Sequence, residues 1–489
     1  MQTPGNAGRA KGPHGRCVLF NDDLLVFVRE HEFESRLTMS TTEHEADLPD
    51  PLGRNHLPPK VSRLRAKLND KAKREPKFRF YTLYDRIHRL DVLQSAYLEV
   101  RKLHSAAGVD GVRFEDIEAQ SGGVARFLTD LQADLQAKRY RPSPVRRVMI
   151  PKPHGGQRPL GIPTVRDRVV QMAVLLILEP IFEADFRDSS FGFRPGRSAH
   201  DALDAIREQL RQGKREVYDA DLKSYFDTIP HDKLMKALEV RIADRGVLSL
   251  LRMWLTCSIE ETDEQGHKSH RRPSSGTPQG GVISPLLANI YLHWFEVLFS
   301  RADGPAHWAN ATLVRYADDF VVLARQQTER LRQWIEETLE GRFGLTINRE
   351  KTRVVRLATS SGESLDFLGM TMRYERSIHG PIPYLHVGPS DKSLARARDK
   401  VRQLTDPSQS FTPVDEVIGR VNRFLRGWMA YFSYGHPRRA FRQLDKFVQD
   451  RLTRHLQRRS QRGWKPPPDR TVYSQLYHIL GLQHVHPPR

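Results

Sequence analysis

The sequence predicts an α+β fold in which an antiparallel sheet precedes a helical module. The sheet is predicted by short runs of β-forming residues, most clearly at 313–323, where two apolar runs flank the adjacent carboxylates Asp318 and Asp319. Apolar residues that recur at helical spacing over 417–432 predict the module. With 489 residues, the chain is longer than a single hydrophobic core usually supports, so we expect several units.

The N-terminal part of the chain is polar and basic. Residues 1–60 are rich in Gly, Pro, His and charge, which is typical of a poorly ordered extension. Over 61–103, basic residues interleave with apolar residues at helical spacing, so we expect basic helices that lie along phosphates. A solvated helical face is the alternative interpretation of this pattern.

The charge of the chain indicates a polyanionic partner. The formal net charge is +19 and the pI is about 10.0. Between Lys392 and Lys465, 18 Lys and Arg residues stand against 6 Asp and Glu residues, so much of the excess lies in the helical module. Because 28% of all residues are charged, a basic surface that is merely solvated is the alternative.

Several classes of protein are disfavoured by composition. Cys17 and Cys257 are the two cysteines, too few for a disulfide framework or a Cys-based zinc site, as fits a reducing cytosol. The N-terminus lacks the apolar core of a signal peptide. The longest apolar run, 169–182, is too short to span a bilayer and is interrupted by polar residues and a proline. We therefore expect a cytoplasmic protein that does not enter the membrane.

A strand, a glycine turn and a second strand are predicted at 148–163. Lys152 and Arg158 stand on opposite arms of this hairpin, and the turn glycines permit the close chain reversal. The planar fork of Arg and the point charge of Lys could converge on one anion. A pair of solvated cations is the alternative.

The loop at 191–200 combines two arginines, Arg194 and Arg197, with two aromatic residues. This composition suits phosphate contact and base stacking. For Phe191 and Phe193 themselves, packing in the core is the preferred interpretation.

A group of carboxylates is predicted where two strands end. Asp221 follows an apolar strand, from where it can reach Asp318 and Asp319 at the hairpin tip. Three carboxylates from two strands can hold two divalent ions about 3.5–4 Å apart, an arrangement that clamps the entering and leaving oxygens of a phosphoryl displacement. An Asp-rich surface turn is the alternative, and we interpret Asp219 and Asp227 as structural.

A glycine-rich loop enters a helix within 273–291. Small residues there allow a nucleobase or sugar to approach the backbone, and Gln279 offers both a donor and an acceptor. An ordinary loop at the start of a helix is the alternative.

Together these segments resemble a reverse transcriptase of the bacterial group II intron maturase kind. The resembling blocks, in chain order, are 148–163, 191–200, 221–227, 273–291, 316–319, 348–351, 367–369 and 419–435. The resemblance covers roughly residues 80 to 460 and implies a right-hand polymerase, with fingers and a palm built on an antiparallel sheet, followed by an all-α thumb or maturase domain. The expected segments are an N-terminal extension (1–60), helices and fingers (61–215), palm (216–375), thumb or maturase domain (376–465) and tail (466–489).

The resemblance also implies roles for individual positions. Metal binding is implied for Asp221, Leu222, Asp318 and Asp319. Nucleotide binding is implied for Lys152, Arg158, Leu222, Phe226 and Gln279, with Phe226 rejecting a 2′-hydroxyl. Lys351 is implied to donate a proton or charge to the leaving pyrophosphate. Contacts with RNA are expected from Arg194, Arg197, Arg420, Arg423 and Arg426.

The implied activity is RNA-directed DNA polymerisation with two Mg²⁺ ions, Mn²⁺ being an alternative. The implied partners are an RNA template, expected to be the chain's own intron RNA, a DNA primer or target, and dNTPs. Binding of intron RNA would assist splicing and mobility. Many maturases carry a C-terminal zinc nuclease with paired Cys motifs, which this sequence does not provide, so we expect no DNA cleavage. The sequence leaves the oligomeric state undecided.

Two other functions remain open at this point. One is a bacterial reverse transcriptase that acts outside any intron, in defence or repair. The other is an RNA-binding splicing cofactor whose polymerase has decayed, against which the intact set of acids argues.

Overall fold

The computed structural model describes residues 50, 52–54, 56–103, 106–151, 157–263, 265–377, 380, 382–459 and 464–486. The chain divides after Leu357 into two compact units. Most of the expected extension at 1–60 lies outside the described residues, and so does Lys152. Within the described ranges, no helix has both the length and the apolar character that crossing a membrane requires.

The larger unit, described from residue 50 to 357, is a mixture of helices and two sheets. Its described helices are α1 (Pro59–Arg74), α2 (Tyr84–Ile87), α3 (Leu90–Arg101), α4 (Phe114–Ala119), α5 (Gly123–Gln136), α6 (Val165–Glu183), α7 (Ala199–Arg211), α8 (Tyr225–Thr228), α9 (His231–Glu239), α10 (Arg245–Leu255), α11 (Ser284–Phe299), α12 (Pro305–Trp308) and α13 (Glu329–Glu336). Its described strands are β1 (Val145–Pro151), β2 (Gln157–Ile162), β3 (Glu216–Ala220), β4 (Ile259–Thr262), β5 (Lys268–Arg271), β6 (Thr312–Tyr316), β7 (Asp319–Ala324) and β8 (Arg353–Arg356).

The sheet that carries the acids is antiparallel, as the sequence predicts. Its strand order is β6-β7-β3-β8. All residues of β7 after Asp319 are buried, because this strand lies in the interior of the sheet between β6 and β3. A strand that is buried on both faces has a continuous apolar sequence. Helix α6 is buried around almost its whole circumference and lies in the same hydrophobic core.

The hairpin predicted at 148–163 is confirmed by the pairing of β1 with β2, in which Ile150 lies opposite Arg158. This hairpin belongs to a second sheet of strand order β2-β1-β4-β5. The backbone amide of Gly161 donates to the carbonyl of Gln279 at 2.6 Å, so the hairpin is fixed to the glycine-rich loop.

The smaller unit consists of a three-stranded sheet and a group of basic helices. The strands β9 (Leu365–Phe367), β10 (Met370–Arg376) and β11 (Pro383–Pro389) pair in the order β11-β10-β9. The helices are α14 (Asp391–Leu404), α15 (Val414–Phe432), α16 (Arg438–Arg458) and α17 (Val472–Ser474). The apolar positions predicted to face the inside of α15 are all buried.

The sheet of the smaller unit is tied directly to its helices. The Tyr431 hydroxyl donates to the carbonyl of Leu368 at 2.7 Å, and the Ser393 hydroxyl donates to that of Gly369 at 2.8 Å. The division between the compact units falls before β9, and the end of the palm at residue 375 stays a prediction.

A buried group of charges on α1 and α6 predicts how stability depends on pH. Glu179 accepts from Arg54 and Arg65, and Arg65 also pairs with Asp50. Burial acts to raise the pKa of Glu179, but the two guanidinium groups outweigh it and lower this pKa below its ordinary value. The ionised form is therefore favoured in the folded state, and its contribution is fully present above the pKa of the unfolded chain, about 4.3.

We expect the free energy of unfolding to fall as the pH drops below this value, because protons then bind the unfolded state first. Urea unfolding between pH 7 and pH 3 measures the effect. Glu179→Gln should flatten the pH profile, whereas Glu350→Gln, at an exposed position, should not. An equally steep profile for both variants would contradict the assignment to Glu179.

Candidate active site

The tip of the β6–β7 hairpin is a two-residue turn of Ala317 and Asp318, closed by the pair Tyr316 and Asp319. Ala317 has a φ of +59°, in the left-handed region that such tight hairpin turns require. Gly192 packs against this turn so closely that a Cβ there would lie 2.3 Å from the Ala317 amide nitrogen. The turn is thus held from outside by a position that tolerates glycine alone.

Asp221 lies at the same end of the sheet. The last pair between β3 and β7 joins Ala220 to Phe320, so the residue after β3 stands beside the residue that begins β7, Asp319. The topology therefore brings the backbones of the three acids together across 97 residues of sequence separating Asp221 from Asp318.

The side chain of Asp221 is oriented by the segment that precedes β8. Asn348 donates through Nδ2 to Asp221 Oδ2 at 2.8 Å and through its backbone amide to the Asp221 carbonyl, also at 2.8 Å. Lys351 Nζ lies 3.8 Å from the same carboxylate oxygen. Sequence reasoning identified Lys351 and overlooked Asn348, which stood in the same short block.

Asp318 has a carboxylate oxygen, Oδ1, that is buried and has no hydrogen-bond partner among the described residues. Burial raises the pKa of Asp318, and the like charge of Asp221 adds to this, while Arg158 acts in the opposite direction. Two interacting carboxylates with an unsatisfied buried oxygen are the donor set that a hard divalent cation prefers. These residues therefore fit a divalent metal site.

The three acids meet through their backbones, and the joint binding of metal by their side chains stays a prediction. Among the described residues, no three His, Cys, Asp or Glu side chains are grouped closely enough to enclose an ion. Like charges repel, and Asp221 is drawn toward Asn348 and Lys351. Asp319 pairs with Tyr316 at the end of the hairpin, and the charge of Asp221 acts on the carboxylate of Asp318.

A chain of hydrogen bonds crosses the neighbouring pocket. Arg158 donates through Nε to Gln279 Oε1 at 2.8 Å, and Gln279 donates through Nε2 to Asp227 Oδ2 at 3.3 Å. Asp227 and Gln279 line a cavity of about 240 Å³ together with Arg147 and Arg271. Asp227, interpreted from sequence as structural, thus orients Gln279, and Asp219 pairs with Arg353 at 3.1 Å.

Two predicted nucleotide-binding residues belong to the core. The Leu222 side chain is buried among apolar residues, so an ion or nucleotide could meet only the backbone of this residue. Phe226 is 6% exposed, and its ring meets that of Phe193 edge to face at a centroid distance of 6.3 Å. The predicted core packing of Phe191 is confirmed, and Phe193 packs against the core as a partly buried residue.

Arg194 was wrongly predicted to contact RNA. Its guanidinium is buried, pairs with Glu183 at 2.6 Å, and donates to the carbonyls of Arg187 and Ser190. It can reach no phosphate because all these donors point inward. Arg197, by contrast, is partly exposed and pairs with Asp188 at 2.6 Å.

The arginines predicted on the outside of α15 differ in their surroundings. Arg423 and Arg426 are exposed. Arg420 is held by Glu416 at 2.5 Å and by Gln409 at 3.1 Å. The first two therefore present the more accessible charges to a polyanion.

Comparison with known proteins identifies two sequence families in the chain. Residues 150–372 match the family described as reverse transcriptase (RNA-dependent DNA polymerase). Residues 394–474 match the maturase-specific domain of group II introns. The two matches cover the two parts of the chain that the sequence analysis expected to be a polymerase and a basic helical domain.

Two curated relatives are similar to this chain over most of their length. Protein YkfC of Escherichia coli K12 is 35% identical over 369 residues, which cover 68% of this chain and 93% of that protein. The group II intron-encoded protein LtrA of Lactococcus lactis subsp. cremoris is 30% identical over 452 residues, covering 76% of this chain and 72% of that protein.

Solved structures with similarity include a partial Cas6-RT-Cas1–Cas2 complex, at 23% identity and a TM-score of 0.31 over 53% of this chain and 42% of that chain. Another is telomerase from Candida albicans, at 14% identity and a TM-score of 0.37 over 74% of this chain and 71% of that chain. The sequence relatives carry the assignment. The chain belongs to the group II intron-encoded reverse transcriptases, which join an RNA-dependent DNA polymerase to a maturase-specific domain.

Proposed function

We propose that this reverse transcriptase extends a DNA primer on an RNA template by a two-metal mechanism centred on Asp221 and Asp318, with Asp319 as the third acid. The observation that carries the proposal is the buried, unsatisfied Oδ1 of Asp318 beside the charge of Asp221. When bound, two Mg²⁺ ions, or Mn²⁺ in their place, would stabilise the charge that develops on the entering and leaving oxygens.

The residues around the acids bind and orient the substrates in this proposal. Arg158 and Lys152 bind the triphosphate of the incoming dNTP. Gln279, oriented by Asp227, lies beside the nascent base pair. Lys351, at 3.8 Å from Asp221, supplies a proton or positive charge to the departing pyrophosphate.

The test is RNA-templated primer extension by the full-length chain with Mg²⁺ and dNTPs. Wild-type protein should extend the primer, and Asp318→Asn should not. Absence of extension by wild-type protein that still binds RNA and promotes splicing would instead assign the chain to the splicing cofactors that lack a polymerase.

Phe226 is proposed to exclude ribonucleotides. Its buried ring, packed against Phe193, would leave no room for a 2′-hydroxyl on the sugar. Phe226→Val should lower the preference for dNTPs over rNTPs by roughly 10- to 100-fold, as measured by the ratio of kcat/KM values. Phe299→Val, in the core of the same unit, should lower stability without changing the ratio. An unchanged ratio for Phe226→Val would leave this residue a purely structural role.

The basic helices are proposed to bind RNA, including the chain's own intron RNA, through its phosphates. The exposed Arg423 and Arg426 of α15 are the proposed contacts in the smaller unit, and α1 contributes Lys60, Arg63 and Lys67 in the larger. Such binding would hold the intron in the fold required for splicing. We propose that the maturase-specific domain is the main site of this contact.

Replacement of both Arg423 and Arg426 with Ala should weaken RNA binding similarly for all sequences. The slope of log K against log salt should fall by about 0.7–0.9 for each phosphate that the protein no longer neutralises. Filter binding or fluorescence anisotropy between 50 mM and 300 mM salt would measure it, with Arg211→Ala, an exposed arginine of α7, as the control. An unchanged slope would exclude both arginines from the interface.

A further inference from the structure

Arg315 lies directly before Tyr316, which closes the turn of Ala317 and Asp318, here called the acidic turn. Its buried guanidinium has an unusual set of partners. It is 0% exposed. It donates to the side chains of Glu296 at 2.5 Å, Asn289 at 2.8 Å and Ser190 at 2.6 Å, and to the carbonyl of Ala317 at 2.7 Å. Burial of a guanidinium costs free energy unless each of its donors has a hydrogen-bond partner. These partners therefore fix the position of the Arg315 side chain.

The partners of Arg315 join the acidic turn to a loop that is distant in sequence. Asn289 accepts from Arg315 and donates through Nδ2 to the carbonyl of Gly192 at 2.8 Å. The backbone of Arg315 is also bonded to this loop, because its amide donates to Ser189 and its carbonyl accepts from Phe191. The turn and the loop at 189–193 therefore cannot move independently.

The same loop leads directly to the aromatic pair that faces the proposed sugar site. Phe193 has a φ of +57°, a conformation that is rare for an aromatic residue, and its ring meets Phe226. Ala317 has a similarly unfavourable φ of +59°. The hydrogen bonds of Arg315 and Asn289 hold Ala317 itself and Gly192, the neighbour of Phe193, which indicates that the surroundings impose both conformations.

We propose that Arg315 and Asn289 are positioning residues that hold the Asp318 carboxylate and the Phe193–Phe226 pair in one geometry, and thereby set both divalent-ion affinity and the selection of deoxyribose. This inference rests on the proposed polymerase function. Neither residue touches substrate; each acts through the turn and the loop that it joins.

The first test measures ion binding directly, without primer, template or nucleotide. Arg315→Lys keeps the charge that faces Glu296 but loses the planar fork, and Asn289→Ala removes the link to Gly192 while leaving the Arg315–Glu296 pair intact. Titration of the full-length protein with Mn²⁺, followed by electron paramagnetic resonance, should show an affinity roughly 10- to 100-fold weaker in each variant. Wild-type affinity in a folded Asn289→Ala variant would overturn the proposal.

The second test measures selection of the sugar. In primer extension, Asn289→Ala should lower the dNTP to rNTP ratio of kcat/KM by roughly tenfold, because the loop that supports Phe193 is released. Excess Mn²⁺ should restore kcat but not this ratio. A ratio equal to that of wild type would exclude any role of Asn289 in sugar selection.

Arg241 provides the matched control for a change that merely destabilises the protein. It is 2% exposed, pairs with Asp185 at 3.0 Å and donates to the backbone carbonyls of Ala72 in α1 and of Pro76 just after this helix. Arg241→Lys should lower the melting temperature yet leave Mn²⁺ affinity and sugar selection unchanged. If it altered both as strongly as Arg315→Lys, the effect would be general loosening and the inference would fail.

Failure of the inference differs from failure of the proposed function. Wild-type protein that neither binds Mn²⁺ nor extends a primer would overturn the polymerase proposal, and the inference with it. Wild-type protein that does both, together with Asn289→Ala and Arg315→Lys variants that match it, would overturn the inference alone.

Discussion

Asp318→Asn should reduce RNA-templated primer extension by at least ~10³-fold, equivalent to about 4 kcal/mol of transition-state stabilisation. The substitution keeps the shape of the side chain and removes the charge that would hold a divalent ion. The melting temperature should stay the same or rise, because burial and the charge of Asp221 already raise the pKa of Asp318, so the ionised group destabilises the folded state. Single-turnover extension under Mg²⁺ measures the rate.

Asp219→Asn is the control for Asp318→Asn. Asp219 lies on β3, two residues before Asp221, but its carboxylate pairs with Arg353. Its removal should leave the extension rate within a few-fold of wild type. Retention of more than a tenth of wild-type activity by Asp318→Asn, or an equal loss in both variants, would contradict the assignment of the metal-binding carboxylates.

Arg194→Ala should lower the free energy of unfolding by about 3–5 kcal/mol, because it leaves Glu183 without its main positive partner in a mostly buried position. The same change also frees the carbonyls of Arg187 and Ser190. Urea unfolding measures this loss. RNA affinity of the folded protein should be unaffected, since the guanidinium is buried.

Arg197→Ala tests whether the arginines of the loop at 191–200 contribute to stability or to RNA binding. Arg197 is partly exposed, and its partner Asp188 is 96% exposed, so the loss of this pair should cost less than about 1 kcal/mol. The opposite result, a stable Arg194→Ala variant with weakened RNA binding, would restore the role that the sequence suggested for Arg194.

The features that were predicted correctly depend on residues that are close together in the sequence. The hairpin that carries Asp318 and the buried face of α15 follow from the alternation and helical spacing of neighbouring residues, which do not depend on the rest of the chain. The pairing of β1 with β2 was equally local. Each depends on residues that are close together in the chain, so the local pattern is sufficient to predict it.

The sequence did not reveal which polar side chains other parts of the protein enclose. Arg194 had the composition of a phosphate ligand, yet Glu183 and two carbonyls enclose it. Asp227 was interpreted as structural, but its partner Gln279, which lies 52 residues away, was not foreseen. The sequence of a loop does not indicate whether its charged side chain faces solvent or a buried carboxylate.

The amino-acid sequence by itself determined the family, the hairpin that presents the acids and the basic character of the C-terminal helices. Only the tertiary structure decided which charges are buried, which carboxylates interact, and that Arg315 joins the acidic turn to the loop before Phe193. The physical reason is that periodicity and turn residues act over a few positions, whereas burial and ion pairing depend on how separate segments pack, in cases such as Ser190 and Arg315 more than 100 residues apart.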